Sequence, residues 1–148
     1  MFARIIGIGS PFGLDRIGID AIDQLKSTSI AQRIELITLD RPGLSLVDYF
    51  DVDSLLIVDA VISDGLVGET SCIDIHALEK NSKNLSTHNA GIVDAIALAR
   101  SLNMMPAKLQ ILGINIGTDS ISTDSESEIP PEWIKEAKDK IIELIGKE

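Results

Sequence analysis

The sequence predicts an α/β protein built as a three-layer αβα sandwich, in which helices cover both faces of a central, mostly parallel, twisted sheet of about five strands. Strand-like apolar runs alternate with helical patterns along the 148 residues. Hydrophobic residues make up 45% of the chain, which is enough for a sizeable core. We therefore expect residues 1–148 to form one domain.

Three strands are predicted in the first half of the chain, at Ala3–Ile8, Arg33–Leu39 and Ser54–Ala60. The second alternates polar and apolar residues, and the third is expected to be the most buried. Between the first two, Ile17–Leu25 carries a helical stripe of apolar residues. After the turn Asp40–Gly43, a short helix is expected at Leu44–Phe50.

The fourth predicted strand, Glu69–Ile75, follows a connection too short for a crossover helix, so it is expected to pair antiparallel. In this strand Cys72 is expected to be a buried small hydrophobe. His76 is expected to mark the solvated strand end.

The remaining chain predicts a helix at Ala90–Leu102, a buried strand at Lys108–Ile116 and a terminal helix opened by Pro130 and Pro131 that runs through Ile145. Ser86, Thr87 or Asn89 is available as the cap of the first of these helices. The polar, aperiodic segment Gly117–Glu128 is expected to be a surface loop.

Composition excludes several classes of function. A single cysteine rules out an internal disulfide and a thiolate metal cluster. The net charge of -10 disfavours nucleic acid and anionic membrane surfaces as partners. No apolar run approaches the roughly 20 residues that span a bilayer. We expect a soluble, cytoplasmic protein with no nucleic-acid or membrane partner.

Three potential metal ligands occur where predicted strands end: Asp15, Asp59 and His88. Asp15 lies in a glycine-rich turn, Asp59 closes an apolar run in which an uncompensated carboxylate would be costly, and His88 precedes a helical pattern. Taken singly, these residues also fit a helix cap, a strand-end carboxylate and a hydrogen-bonded residue before a helix. Together, two carboxylates and an imidazole at the carboxyl edge of a parallel sheet predict an open site for a divalent transition metal.

A nucleotide-binding alternative rests on the same turn. Gly7, Gly9 and Gly13 resemble a dinucleotide loop, but their spacing differs, and Pro11 removes an N–H that a phosphate cradle would use. Asp40 after the second strand keeps this alternative open. The sequence contains neither a Gly-Lys-Ser/Thr phosphate loop nor a Gly-x-Ser-x-Gly elbow.

Three segments of the chain, Ile6–Gly18, Leu55–Val61 and Ser86–Gly91, resemble the hydrogenase maturation endopeptidases. These proteases trim the C-terminus of the large subunit of nickel-iron hydrogenases. The segments occur in the family's order and at its spacing. The resemblance extends over nearly the whole chain and weakens after Gly117.

The resemblance implies that Asp15, Asp59 and His88 are both the metal ligands and the catalytic residues. The implied metal is nickel supplied by the substrate, for which zinc or cadmium can substitute. Asp40 and Gly43 match the family's loop after the second strand, and are implied to contact the substrate.

The chain departs from the family pattern at two places. Leu14 precedes Asp15 where the family often has two consecutive acids. Asp-Arg-Pro-Gly, at Asp40–Gly43, replaces the family's Asp-Gly-Gly-Thr-like motif. These changes bear on the identity of the partner hydrogenase more than on metal binding.

The implied function is endoproteolytic removal of a C-terminal peptide from the nickel-loaded precursor of a hydrogenase large subunit, with substrate-bound nickel as the recognition element. We expect a monomer, because such an enzyme acts on a folded partner once per molecule. Both a metal-dependent and an aspartic-type mechanism remain open. Two alternatives stand beside this function: a nucleotide-binding Rossmann-like module, and a chaperone that binds the hydrogenase precursor without cutting it.

Overall fold

The computed structural model describes residues 1–80, 87–118 and 128–147. For residues 79–80 and 87–90 it describes the backbone but not the side chains. The described strands are β1 (Arg4–Gly9), β2 (Glu35–Asp40), β3 (Ser54–Val61), β4 (Thr70–Ile73) and β5 (Lys108–Asn115). They form one sheet in the order β2-β1-β3-β5-β4. β4 runs antiparallel to β5, and the other neighbouring strands pair in parallel.

The described α-helices are α1 (Ile17–Leu25), α2 (Ile75–Lys80), α3 (Thr87–Ser101) and α4 (Pro131–Gly146). Short 3-10 helices occupy Gly13–Arg16, Ser29–Gln32 and Gly43–Tyr49. Because successive strand residues point to opposite faces, Leu55 and Leu56 of β3 belong to different apolar clusters. One cluster is closed by α1 and α4, and the other by α3 and the 3-10 helix at Gly43–Tyr49. The predicted three-layer sandwich is therefore confirmed.

The predicted strand at Glu69–Ile75 is only partly right. β4 ends at Ile73, and Asp74 then accepts a hydrogen bond at its Oδ1 from the backbone N–H of His76 at 2.9 Å. This side-chain contact is a helix N-cap, and α2 begins directly after it. His76 therefore belongs to a short helix and not to a strand end.

The expected burial of Cys72 is wrong, because its side chain is exposed. Among the described strands, β4 lies at the edge of the sheet and has β5 as its neighbour. Sequence pattern gives the strand but not its place in the sheet, and an edge position leaves side chains open to solvent.

Two expectations fall outside the described residues. Most of the surface loop predicted at Gly117–Glu128 lies in residues 119–127, and Ser86 and the side chains of Thr87 and Asn89 lie outside as well. Within the described parts of the chain, none of the helices is both long enough and apolar enough to cross a membrane.

Candidate functional site

Asp59 lies near the carboxyl end of β3, the middle strand of the described sheet, and its exposure is 0%. β3 runs between β1 and β5, and the register places Asp59 beside Gly113. The Oδ1 atom of Asp59 accepts a hydrogen bond from the N–H of Ala60 at 2.8 Å. Burying a carboxylate is costly unless polar groups or a cation compensate its charge, so this position indicates a specialised site.

Asp15 lies in the 3-10 helix that follows β1 and is half-buried. Two glycines bring this segment down onto the sheet. A Cβ atom built on Gly9 would lie 2.4 Å from the backbone oxygen of Asp15. One built on Gly18 would lie 2.4 Å from the oxygen of Ile8 and 2.8 Å from that of Val58. The segment Asp15–Gly18 therefore packs on the backbone of β1 and on Val58, the residue before Asp59, at a distance that only glycine permits.

His88 lies in the first turn of α3, and its side chain is outside the described residues. The residues after it on the same helix adjoin the loop after β2, because a Cβ built on Gly91 would lie 3.3 Å from the Cα of Gly43. Among the described side chains, no group of three His, Cys, Asp or Glu residues is close enough to hold a metal. The described side chains include two of the three predicted ligands, Asp15 and Asp59. The structure thus brings together the segments of Asp15 and Asp59, and all three ligand assignments stay predictions.

The loop after β2 borders the same edge of the sheet. Arg41 donates from its backbone N–H to the oxygen of Gly9 at 3.0 Å and from its Nε to Oδ1 of Asp40 at 2.7 Å. The hydrogen bond to Asp40 and the charge of its carboxylate raise the pKa of the Arg41 guanidinium above its ordinary value. The charge of Asp15 acts in the same direction, which puts Arg41 within the electrostatic reach of the predicted metal ligand.

Gly43, the second residue predicted to contact substrate, begins a 3-10 helix with a φ of +57°. No described atom lies within 4 Å of a Cβ built on this residue. A cavity of about 140 Å³ lies beside it. The residues that line the cavity are Ile8, Arg41, Pro42, Gly43, Leu46, Gly91 and Ile92.

Sequence reasoning missed two further buried polar residues, Ser10 and Asn115. The side chain of Asn115 donates to the oxygen of Leu66 at 3.0 Å and accepts from the N–H of Gly117 at 2.9 Å. It therefore fixes the loop after β3 and the turn after β5 at the edge where Asp59 lies. The sequence marks Asn115 in the same way as Asp59, because both are polar residues at the end of an apolar strand.

Large apolar side chains are exposed around this edge. Phe12 follows β1 and is 56% exposed, and Ile62 and Leu66 follow β3 at 40% and 77%. Exposed apolar residues that cluster near one another are a common property of surfaces that bind other proteins.

Comparison with protein families gives one match over most of the chain. The model described as HycI, hydrogenase maturation protease, matches residues 20–148. Asp59 and His88 lie inside the matched segment, whereas Asp15 lies just before it. A search of curated proteins finds no match to this sequence.

Solved structures of similar fold cover nearly the entire chain. The hydrogenase maturating endopeptidase HybD from E. coli is 20% identical with a TM-score of 0.73, over 99% of this chain and 93% of that one. The hydrogenase 2 maturation peptidase from Thaumarchaeota archaeon SCGC_AB-539-E09 is 22% identical with a TM-score of 0.67, over 100% of both chains. The [NiFe] hydrogenase maturation protease HycI from Thermococcus kodakarensis KOD1 is 24% identical with a TM-score of 0.64, over 97% and 89%.

Proposed function

Because this chain belongs to the hydrogenase maturation protease family, we propose that it removes a C-terminal peptide from the nickel-loaded precursor of a nickel-iron hydrogenase large subunit. Membership makes the protein a peptidase that acts in hydrogenase maturation. The main support for this specific proposal is the fully buried carboxylate of Asp59. The segment of Asp15, whose backbone packs closely on Gly9, is the second support.

In this proposal Asp15, Asp59 and His88 hold the nickel that arrives with the precursor. The donor set fits such an ion, since two carboxylates and an imidazole suit a divalent transition metal and leave coordination positions for the substrate's own ligands. Zinc or cadmium would fit the same donors. A metal bound there supplies Lewis-acid polarisation of a carbonyl group or a water molecule.

The protein's own contribution is to position these groups. Asp59 is held by a strand with neighbours on both sides and by the Ala60 N–H, so its carboxylate is oriented before substrate arrives. The backbone of Asp15 is seated against Gly9. Hydrolysis adds water to the scissile carbonyl carbon, breaks the C–N bond and leaves a proton on the departing amine. In the aspartic-type alternative, one carboxylate takes the proton from that water.

The substrate in this proposal is a folded protein. The exposed side chains of Phe12, Ile62 and Leu66 support it, because they follow β1 and β3 at the carboxyl edge of the sheet and offer apolar area to a partner surface. Asp40 and Gly43 contact the peptide on the side of β2. The proposal includes a monomeric enzyme in the cytoplasm.

The nucleotide-binding alternative loses its main support. A Cβ built on Gly7 would lie 2.3 Å from the oxygen of Gly18, and one built on Gly9 would lie 2.4 Å from that of Asp15. The glycine pattern is thus accounted for by the close packing of the segment Gly13–Leu25 on β1, without a phosphate group.

The test is incubation of the purified protein with nickel-loaded and nickel-free precursor, followed by intact mass measurement. We expect loss of a short C-terminal peptide from the loaded precursor alone. Binding of the loaded precursor without a shorter product would instead identify a non-cleaving chaperone.

Variants test the proposed site. Asp15→Asn, Asp59→Asn and His88→Gln should each lower the processing rate by on the order of 100-fold, because each removes one ligand or its charge. The matched control is Asp139→Asn, which removes an exposed carboxylate paired with Lys135 on α4. Normal cleavage by all three site variants would refute the assignment, and thermal unfolding checks that each remains folded.

A further inference from the structure

The 140 Å³ cavity beside Gly43 has an apolar floor. Three buried side chains form it: Ile8 at the end of β1, Leu46 in the 3-10 helix after β2, and Ile92 in α3. Each is at most 1% exposed. Transfer of an apolar group from water onto a pocket surface of this kind lowers the free energy.

Two glycines leave the cavity open. Gly43 and Gly91 both line it, and a Cβ built on Gly91 would lie 3.3 Å from the Cα of Gly43. Because neither residue carries a side chain, α3 and the 3-10 helix approach closely without filling the space between them. A methyl group at Gly91 would narrow the cavity by entering this gap.

The cavity adjoins the proposed metal site on two sides. Gly91 stands three residues after position 88 in α3, and residues at that spacing share a helix face. On the other side Arg41, which lines the cavity, donates its backbone N–H to the oxygen of Gly9 at 3.0 Å and lies within the electrostatic reach of Asp15. An extended peptide advances roughly 3.3–3.6 Å per residue, so a chain held at the site passes along the neighbouring surface within a few residues.

We propose that this cavity receives one aliphatic side chain of the precursor's tail, beside the scissile bond, and so selects the bond that is cut. The inference rests on the proposed function and specifies its substrate. The volume fits one side chain of about the size of Leu or Ile, and is well below the roughly 300–1,000 Å³ typical of cofactor and small-molecule pockets. Arg41, which lines the cavity, is already paired with Asp40, and the apolar floor disfavours a polar or charged occupant.

The test uses nickel-loaded precursors in which the residues flanking the cleaved bond, located by intact mass, are replaced one at a time by Ala, Val, Leu and Phe. At one of these positions the wild-type enzyme should prefer Leu to Ala by roughly 10- to 200-fold in kcat/KM, the range that a hydrophobic pocket gives for small changes in size. At the positions that do not enter the cavity the preference should be weak.

Changing the cavity should change that preference. Leu46→Ala enlarges it and should move the optimum from Leu toward Phe. Gly91→Ala narrows it and should move the optimum toward Val and Ala. The matched control is Leu25→Ala, which removes an equally buried side chain under α1, in the other apolar cluster, and should leave the ranking as in the wild type.

The outcomes separate the two proposals. Cleavage by all the enzymes with an unchanged ranking at every flanking position would refute the side-chain pocket and leave the proposed function intact. Failure of the wild-type enzyme to cut any loaded precursor would refute the proposed function, and this inference with it. If Leu46→Ala does not fold, Gly91→Ala alone decides, because a narrowed cavity must penalise Leu relative to Ala.

Discussion

The indole ring of Trp133 lies directly against Gly68: a Cβ atom built on this glycine would be 2.5 Å from Cδ1 of the ring. Trp133 stands in the first turns of α4, and Gly68 belongs to the loop between β3 and β4. The N–H of Gly68 also donates to the oxygen of Asn115 at 2.7 Å. α4 therefore packs on the loop between β3 and β4, which borders the proposed active site.

Gly68→Ala should destabilise the protein by about 1–3 kcal/mol, because φ is +84° at this position and the new methyl group would overlap the ring. Trp133 is the single tryptophan, so its fluorescence should shift to the red as the ring moves into water. The control is Gly65→Ala, whose Cβ would meet its nearest neighbours, two side-chain oxygens, at 3.4 Å. An unchanged spectrum and an unchanged urea midpoint for Gly68→Ala would contradict the contact.

Asn115→Ala should lower the free energy of unfolding by about 1–3 kcal/mol for each partner left without a hydrogen bond. The partners are the oxygen of Leu66 and the N–H of Gly117. Urea denaturation measures the loss, and limited proteolysis should cut faster between β3 and β4. Ser101→Ala, which removes an exposed hydroxyl bonded to Ala97 on α3, is the control. Equal stability of the two variants would argue against the role given to Asn115.

Gly9→Ala should slow precursor processing at least tenfold. The added methyl carbon would lie 2.4 Å from the backbone oxygen of Asp15, so the backbone of Asp15 would have to move. The folded fraction is checked by circular dichroism, so that the rate refers to native enzyme. Gly146→Ala serves as the control, since no described atom lies within 4 Å of its Cβ. Wild-type rates from a folded Gly9→Ala enzyme would show that the position of Asp15 is not critical.

Acid sensitivity is expected at the opposite edge of the sheet. Arg4 donates to Glu35 and, at 2.6 Å, to Asp51, and its hydrogen bond and charge lower the pKa of the Asp51 carboxyl. The stabilisation from this pair is therefore present above the unfolded pKa of about 4, and is lost as pH falls through the lower folded-state pKa. Asp51→Asn should be less stable at pH 7 and should lose less stability between pH 5 and pH 2.

Urea unfolding across this range measures the effect, with Asp53→Asn as a control on a neighbouring exposed acid. Parallel stability curves for Asp51→Asn and the wild type would exclude the Arg4–Asp51 pair as the cause.

The sequence was sufficient for most of the fold because most of the fold depends on local pattern. Ile17–Leu25 was predicted with the bounds that the structure has, since its apolar stripe begins and ends within one helix. The six residues of α2 were missed, because so short a segment carries little periodicity and its start depends on the cap at Asp74. The exposure of Cys72 depends on strand order, which is a property of the whole sheet.

At the site, a polar residue closing a buried strand led to Asp59, and the same reasoning applied to Asn115 would have found it. The cavity could not be predicted, because it forms where Ile8, Leu46 and Ile92 meet from distant parts of the chain. Its opening depends on the approach of Gly43 to Gly91, and a glycine in sequence does not reveal what its missing side chain would touch.

The position of β3 also sets the moment at which the sheet around Asp59 can be completed. β3 has β1, a strand synthesised before it, on one side, and β5, a strand synthesised after it, on the other, where the register partner of Asp59 is Gly113. Both pairings are long-range, but during synthesis the pairing with β5 must also wait for that strand to leave the ribosome. A nascent chain therefore carries Asp59 in an unfinished sheet until β5 has been synthesised.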